Sequence, residues 1–365
     1  MFPEFDYSAR LDRARHLMVQ RNLDVLLLSV GADLPYFSGY EAMPLERLTA
    51  LVIPRDGTAT MVVPRLEAPR VEPRGDAFVT RPWDEDENPI DIAVSLMGTP
   101  SSVAVGDPTW SVFLLALQEA LPTARFVSAT PLTRELRMRK ESEEVDWLRA
   151  AAVATDRVVA RLDEIRFSGR TEQELSRIVA EMTLEEGHDL ATFAIVASGP
   201  NAASPHHEAG DRVIEMGETV VVDFGGRLRG YCSDTTRTFH TGEPTDEVAG
   251  AFATLESAQA AARAAVAPGV AAEHVDRAAR AVITDAGYGE LFIHRTGHGI
   301  GVEVHEHPYI VEGNGLPLEP GMAFSIEPGI YRPGFWGMRI EDIVVCAGDG
   351  VDELNRSPRR LHIVG

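Results

Sequence analysis

Apolar positions recur at three- and four-residue intervals over residues 8–21, where Leu11, Ala14, Leu17 and Met18 share one face. That spacing predicts an amphipathic helix. Asp24 to Ser29, apolar at its centre, is too short for a helix and reads as a buried strand. Further β-rich runs cover Thr49 to Ile53, Thr58 to Val63 and Ser102 to Val105, and Trp110 to Leu121 has a helical pattern. Strands alternating with helices predict an α/β first domain. Within it, Arg81 to Asn88 (RPWDEDEN) is expected to be a charged, solvated connection.

A domain boundary is expected between Thr130 and Lys140, where Pro131 breaks the pattern and RELRMRK is basic. The domains are then 1–132 and 133–365. Helical spacing resumes over Glu141 to Ile165. Thr171 and Glu174 match a capping box, in which each side chain satisfies an orphan amide of the first turn. That helix should stop near Gly187. Alanine-rich helices follow over 245–267 and 272–286, ended by Pro268-Gly269 and by Gly287. No internal repeat or low-complexity tract is visible.

Composition narrows the classes. At 365 residues, two domains are the prior. A net charge of −22 disfavours phosphate backbones, so nucleic acid is not an expected partner. Two cysteines, Cys232 and Cys346, exclude a disulfide scaffold and a zinc–thiolate cluster. The N-terminal stretch has no apolar leader and no apolar run approaches about 18 residues, so no membrane span and a cytoplasmic location are expected.

Five candidate metal ligands stand in strand-like or glycine-rich settings: Asp223 (VVVDFGG), Asp234 (YCSDTTRT), His298 (TGHGIGVEVHE), Glu327 (SIEPGIY) and Glu341 (MRIEDIV). One His with four carboxylates suits two adjacent divalent ions better than a single zinc. A hairpin turning through Gly225 to Gly230 would bring Asp223 and Asp234 to one site, where unpaired carboxylates repel and a cation compensates. Glycines 297, 299 and 301 lack phosphate-loop spacing. They are expected to let backbone pass close to a metal or substrate. Met338 to Val345 is expected as a strand that embeds Glu341 in apolar surroundings. No GxSxG elbow occurs, and Cys232 and Lys140 do not support nucleophilic or Schiff-base chemistry.

At these five settings the chain resembles the methionine aminopeptidase/prolidase/creatinase family of metallopeptidases with the pita-bread fold. The resemblance spans roughly residues 140–360 and keeps the order Asp, Asp, His, Glu, Glu. It implies that Asp223 and Asp234 hold one ion and His298 and Glu327 the other, with Asp234 and Glu341 bridging. Manganese or cobalt is the expected metal, with zinc or iron as alternatives. SGPNAASPHHE resembles a family segment that makes His206 a substrate-facing catalytic histidine. His305 matches the histidine after HGIGxxxH. Arg339 matches an arginine that orients the last glutamate or contacts substrate. His307 is expected to be structural. The α/β N-terminal domain before a pita-bread catalytic domain points to the branch of Xaa-Pro dipeptidases, Xaa-Pro aminopeptidases and creatinases, commonly homodimers.

The resemblance implies hydrolysis of peptides with proline at the second position. A hydroxide bridging two ions would attack the carbonyl, one ion polarising it and the other positioning the free amine. Glu327 would shuttle a proton, and His206 and His305 would stabilise the oxyanion and hold the proline side. A dipeptidase must also hold the substrate carboxylate, for which Arg295, Arg332 and Arg339 are candidates. Two alternatives are a metal-free creatinase-like amidinohydrolase and a non-catalytic binding module. The intact ligand set argues against both.

Overall fold

The structure is a computed structural model and describes residues 2–365. The chain divides into two compact units, one ending at Arg137 and the other beginning at Met138.

The first unit is built on six strands: β1 Val25–Leu28, β2 Ala50–Pro54, β3 Ala59–Pro64, β4 Phe78–Trp83, β5 Ser102–Val105 and β6 Arg125–Ser128. Their order is β4-β3-β2-β1-β5-β6, parallel except where β2 pairs with β1 and β3. Five helices accompany them: α1 Tyr7–Gln20, α2 Asp33–Ser38, α3 Pro89–Met97, α4 Ser111–Ala120 and α5 Thr130–Met138. The unbroken apolar run of β1 has a physical cause. Leu26 and Leu28 enter a core with Leu11, Ala14 and Met18 of α1. Val25 and Leu27 enter the opposite core with Ala93 of α3 and Leu117 of α4. A strand covered on both faces needs apolar residues at every position.

Two expectations fail here. RPWDEDEN is not one solvated connection. Its first three residues end β4, and Trp83 is buried with its indole N–H donating to the Leu48 carbonyl. Its last residue, Asn88, caps α3 by accepting from the Ile90 amide. Pro131 does not break structure, because it sits in the first turn of α5. There a missing amide hydrogen costs no helix bond.

The second unit repeats one plan, two helices followed by strands. α6 Ser142–Leu162 and α7 Glu172–Glu185 precede β7 Leu190–Ser198, β8 Thr219–Leu228, β9 Tyr231–Cys232 and β10 Thr235–Thr241. α8 Asp246–Ala264 and α9 Ala272–Asp285 precede β11 Gly297–Gly299, β12 Glu306–Ile310, β13 Ala323–Ile326, β14 Gly329–Arg332, β15 Trp336–Arg339, β16 Asp342–Ala347 and β17 Gly350–Glu353. β18 His362–Val364 returns to the first set, giving sheets ordered β18-β10-β8-β7 and β12-β11-β13-β16-β17. The capping box forms, with the Thr171 hydroxyl accepting from the Glu174 amide and the Glu174 carboxylate from the Thr171 amide. Val158, Val159, Leu175 and Val179 pack on the first sheet. Leu255, Ala258, Val275 and Ala279 pack against residues of the second.

The sheets meet at β10 and β16. The Glu341 amide donates to the Thr236 carbonyl in an isolated bridge. Beside it, the fully buried Arg237 guanidinium pairs with Asp342 at 2.6 Å and donates to the carbonyls of Thr236, Glu341, Ser357 and Pro358. Removing a buried, multiply bonded cation strands its acceptors. Arg237→Met should cost about 3–5 kcal/mol in urea unfolding. A loss under about 1 kcal/mol would show that the junction does not depend on this pair.

Candidate metal centre

Strand geometry delivers the five predicted ligands to one place. Asp223 lies in β8, opposite Thr236 of β10. Asp234 immediately precedes β10, and His298 is the central residue of β11. Glu327 follows β13. Glu341 is not embedded in a strand as expected: it lies between β15 and β16, where the chain passes from the β14–β15 hairpin to the second sheet. The hairpin expectation needs a similar adjustment. Gly225 and Gly226 lie within β8, and the turn is made at Arg229 and Gly230, both at positive φ.

The ligand atoms form three overlapping groups, each with its atoms within 4.8 Å of one another. They are Asp223–Asp234–Glu341, His298–Glu327–Glu341 and Asp234–His298–His305. Glu341 is shared by the first two, Asp234 by the first and third. Asp223, Asp234, His298 and Glu341 are all buried.

The hydrogen bonds leave this cluster incomplete. Asp223 Oδ2 accepts from Arg339 at 2.6 Å, and Glu341 Oε2 from the Thr236 hydroxyl at 2.8 Å. The other oxygens, Asp223 Oδ1 and Glu341 Oε1, are buried with no partner among the described residues. His298 Nδ1 lies 3.1 Å from the Gly299 carbonyl. Nε2 lies 3.2 Å from Glu327 Oε1 and 3.6 Å from Asp234 Oδ2. Buried carboxylate oxygens without a partner call for a cation.

Electrostatics lead the same way. Burial pushes the Asp234 carboxyl well above its ordinary range, and Glu341 and Asp223 add to the rise. Burial, then Glu327 and Asp223, raises Glu341 well above its own. Burial also raises Asp223, against the pull of Arg339. Glu327 differs: burial works to raise it, but the adjacent His298 outweighs that and holds it at about 2. Hard oxygen donors with one imidazole fit divalent cations of the manganese type.

The cluster forms the floor of a cleft of about 630 Å³, also lined by Phe193, Ile195, His206, His294, Arg295 and His305. The His305 ring lies 4.0 Å from that of His298. Partial desolvation, then His298 and Arg295, holds His305 down at about 4, so its ring is neutral at pH 7. Arg339 is buried, and its guanidinium donates to Asp223, the Thr236 hydroxyl, Tyr331 Oη and, at 3.5 Å, the Pro205 carbonyl. Its hydrogen-bonded link to Glu341 runs through the Thr236 hydroxyl. His307 lies against the Tyr309 ring and does not line the cleft.

The glycines beside His298 serve packing rather than approach to a metal. A Cβ on Gly297 would meet the Ser325 carbonyl oxygen at 1.9 Å, and one on Gly299 the His307 carbonyl oxygen at 2.2 Å. Three supporting residues escaped the sequence pattern. Tyr331 links Arg339 to His294. Ser325 donates to Glu327 and accepts from the His298 amide. Glu172, at the start of α7, accepts from the amide and hydroxyl of Ser198 and from Asn201, with His207 Nε2 at 2.8 Å. Its buried carboxylate thereby anchors the loop that carries His206.

Comparison with known proteins identifies the relatives of this arrangement. Residues 146–347 match the model of metallopeptidase family M24, and residues 10–139 match the creatinase/prolidase N-terminal domain. The crystal structure of dipeptidase PepE from Mycobacterium ulcerans superposes with a TM-score of 0.93 at 46% identity, covering 99% of this chain and 100% of that one. Recombinant prolidase from Thermococcus sibiricus superposes with a TM-score of 0.93 at 35% identity over the full length of both chains. The Xaa-Pro dipeptidase of Lactobacillus helveticus is 36% identical over 369 residues, covering 97% of this chain and 98% of that protein. With the fold, the ligand cluster and both domain models in agreement, the chain belongs to metallopeptidase family M24 and carries a creatinase/prolidase-type N-terminal domain.

Proposed function

We propose that this peptidase hydrolyses the bond before proline in Xaa-Pro substrates, using two divalent ions. The observation that carries the proposal is the pair of buried, partnerless oxygens, Asp223 Oδ1 and Glu341 Oε1, within overlapping ligand groups. The Xaa-Pro dipeptidase of L. helveticus and the prolidase of T. sibiricus support the substrate assignment. Asp223, Asp234 and Glu341 would hold one ion, and His298, Glu327 and Glu341 the other, with manganese or cobalt the best match to the donors. Bound there, the ions supply a hydroxide nucleophile at neutral pH and polarise the scissile carbonyl.

The protein's own groups do the rest. Arg339 fixes the rotamer of Asp223 through its 2.6 Å bond and is itself steadied by Tyr331. Glu327, ionised and lying between Ser325 and His298, accepts the proton of the attacking water and passes it toward the proline nitrogen. His305, neutral and on the cleft wall, donates an N–H to the oxyanion that develops on the substrate carbonyl. His206, on the loop anchored by Glu172, closes the proline side. Phe193 and Ile195 give that wall an apolar surface suited to a pyrrolidine ring.

The direct test is hydrolysis of Ala-Pro by metal-loaded protein, with elemental analysis of the same sample. Asp234→Ala should lose both bound metal and turnover. Near-normal turnover in that variant would contradict the two-metal assignment. His305→Ala should keep its metal and lower kcat by roughly 10²–10³, the effect of removing one oxyanion donor. An unchanged kcat would remove His305 from the mechanism.

A further inference from the structure

Of the 34 lysine and arginine residues in the chain, Lys140 alone is lysine. Its side chain is buried, and its Nζ lies 2.7 Å from Glu306 Oε1, which is buried as well. Withdrawing such a pair from water is costly, and apolar residues of the same volume often serve stability equally well. A pair at this site calls for a reason beyond stability, and its position supplies one.

Glu306 opens β12 and directly follows His305, the cleft histidine assigned to the oxyanion. Side chains alternate in direction along extended backbone. His305 is exposed in the cleft, and Glu306 turns inward to Lys140. Residues 301–305 lie outside the strands, so among the described residues no sheet pairing holds His305 itself. The ion pair lies against both ends of this bend. Glu306 is one end. At the other, a Cβ on Gly301 would meet Glu306 Oε1 at 2.7 Å and Lys140 Cε at 3.1 Å. That space suits a compact ammonium better than a broad, planar guanidinium. Lys140 is held in turn by its backbone: its amide donates to the Gly321 carbonyl at 2.8 Å, and Arg139 bridges Met322. The next residue, Ala323, accepts from the Ile300 amide and opens β13, which leads to Glu327. The bend and its prop therefore rest on the same strand.

We propose that Lys140 and Glu306 are a positioning pair for His305: by pinning the bend at both ends, they hold its ring where an N–H meets the developing oxyanion. This rests on the Xaa-Pro peptidase assignment above and deepens it. Neither residue lines the cleft, so their effect falls on turnover rather than on substrate binding.

The test removes the bond without stranding a buried charge. Lys140→Met combined with Glu306→Gln makes both partners neutral at similar length, so the protein should fold and keep its metal. On Ala-Pro its kcat should fall roughly 10- to 100-fold with KM within about twofold, the effect of displacing a catalytic group slightly. The same two substitutions added to His305→Ala should change kcat by less than about twofold, because the group they position is gone. Glu306→Asp, which keeps both charges but shortens the reach, should show the same non-additivity and serves if the double variant does not fold. A merely structural pair would give equal losses in both backgrounds, and that result would overturn the proposal. So would an unchanged kcat, or a loss that tracks metal content in elemental analysis. Hydrogen–deuterium exchange on metal-free protein gives a readout that needs no turnover: amides of residues 301–306 should exchange faster in the double variant, with α6 and β13 unchanged. If wild type fails to cleave Ala-Pro, the Xaa-Pro assignment falls alone, and exchange decides the pair: faster exchange at the bend upholds it and unchanged exchange overturns it. If Ala-Pro is cleaved and the double variant turns over like wild type, the positioning role falls alone.

Discussion

The second unit is organised around a conflict: Asp223, Asp234 and Glu341 are brought together where they are largely withdrawn from solvent. In a low-dielectric pocket their mutual repulsion and desolvation oppose ionisation. Arg339 offsets part of this at Asp223, and His298 does so at Glu327. Among the described residues, no hydrogen-bond partner reaches the second oxygens of Asp223 and Glu341. A site with this deficit of positive charge is a site for cations, and its position fixes where chemistry takes place.

The fold exists to hold that conflict still. Each ligand lies within a strand or next to one, so backbone pairing on either side limits its movement. The sheets are tied by the Thr236–Glu341 bridge and by Arg237 with Asp342, one residue along from the bridge in each case. Metal ligation and sheet junction thus share a few consecutive residues, and a disturbance of one reaches the other. The glycines on either side of His298 permit the close backbone contacts that set its short strand against its neighbours.

Much of this was legible in the sequence because it is local. The ligands stand beside β-type apolar runs, and the carboxylates and His298 were identifiable from residue type, setting and order. The strands of the first unit could be read because their apolar runs are bounded by turn residues. What could not be read depends on contacts between distant residues. Arg339 is 116 positions from Asp223, the partner it actually holds. Glu172 gathers Ser198, Asn201 and His207 from a loop far along the chain, and its own setting suggests only a helix start. Tyr331 sits in an apolar strand with no local mark of its link to His294 and Arg339. Pro131 and RPWDEDEN depart from their local pattern for a related reason. Local chemistry said turn, while a first-turn proline and a buried Trp83 satisfied helix and strand.

The central claim is that the shared carboxylates hold two divalent ions at once. Calorimetric titration of metal-stripped protein with Mn²⁺ tests it most directly, on the wild type and on Glu341→Gln. Because Glu341 belongs to both ligand groups, wild type should take up two equivalents per chain, and the variant should be weakened in both steps. Two unaltered sites in the variant, or no uptake by the wild type, would contradict the account.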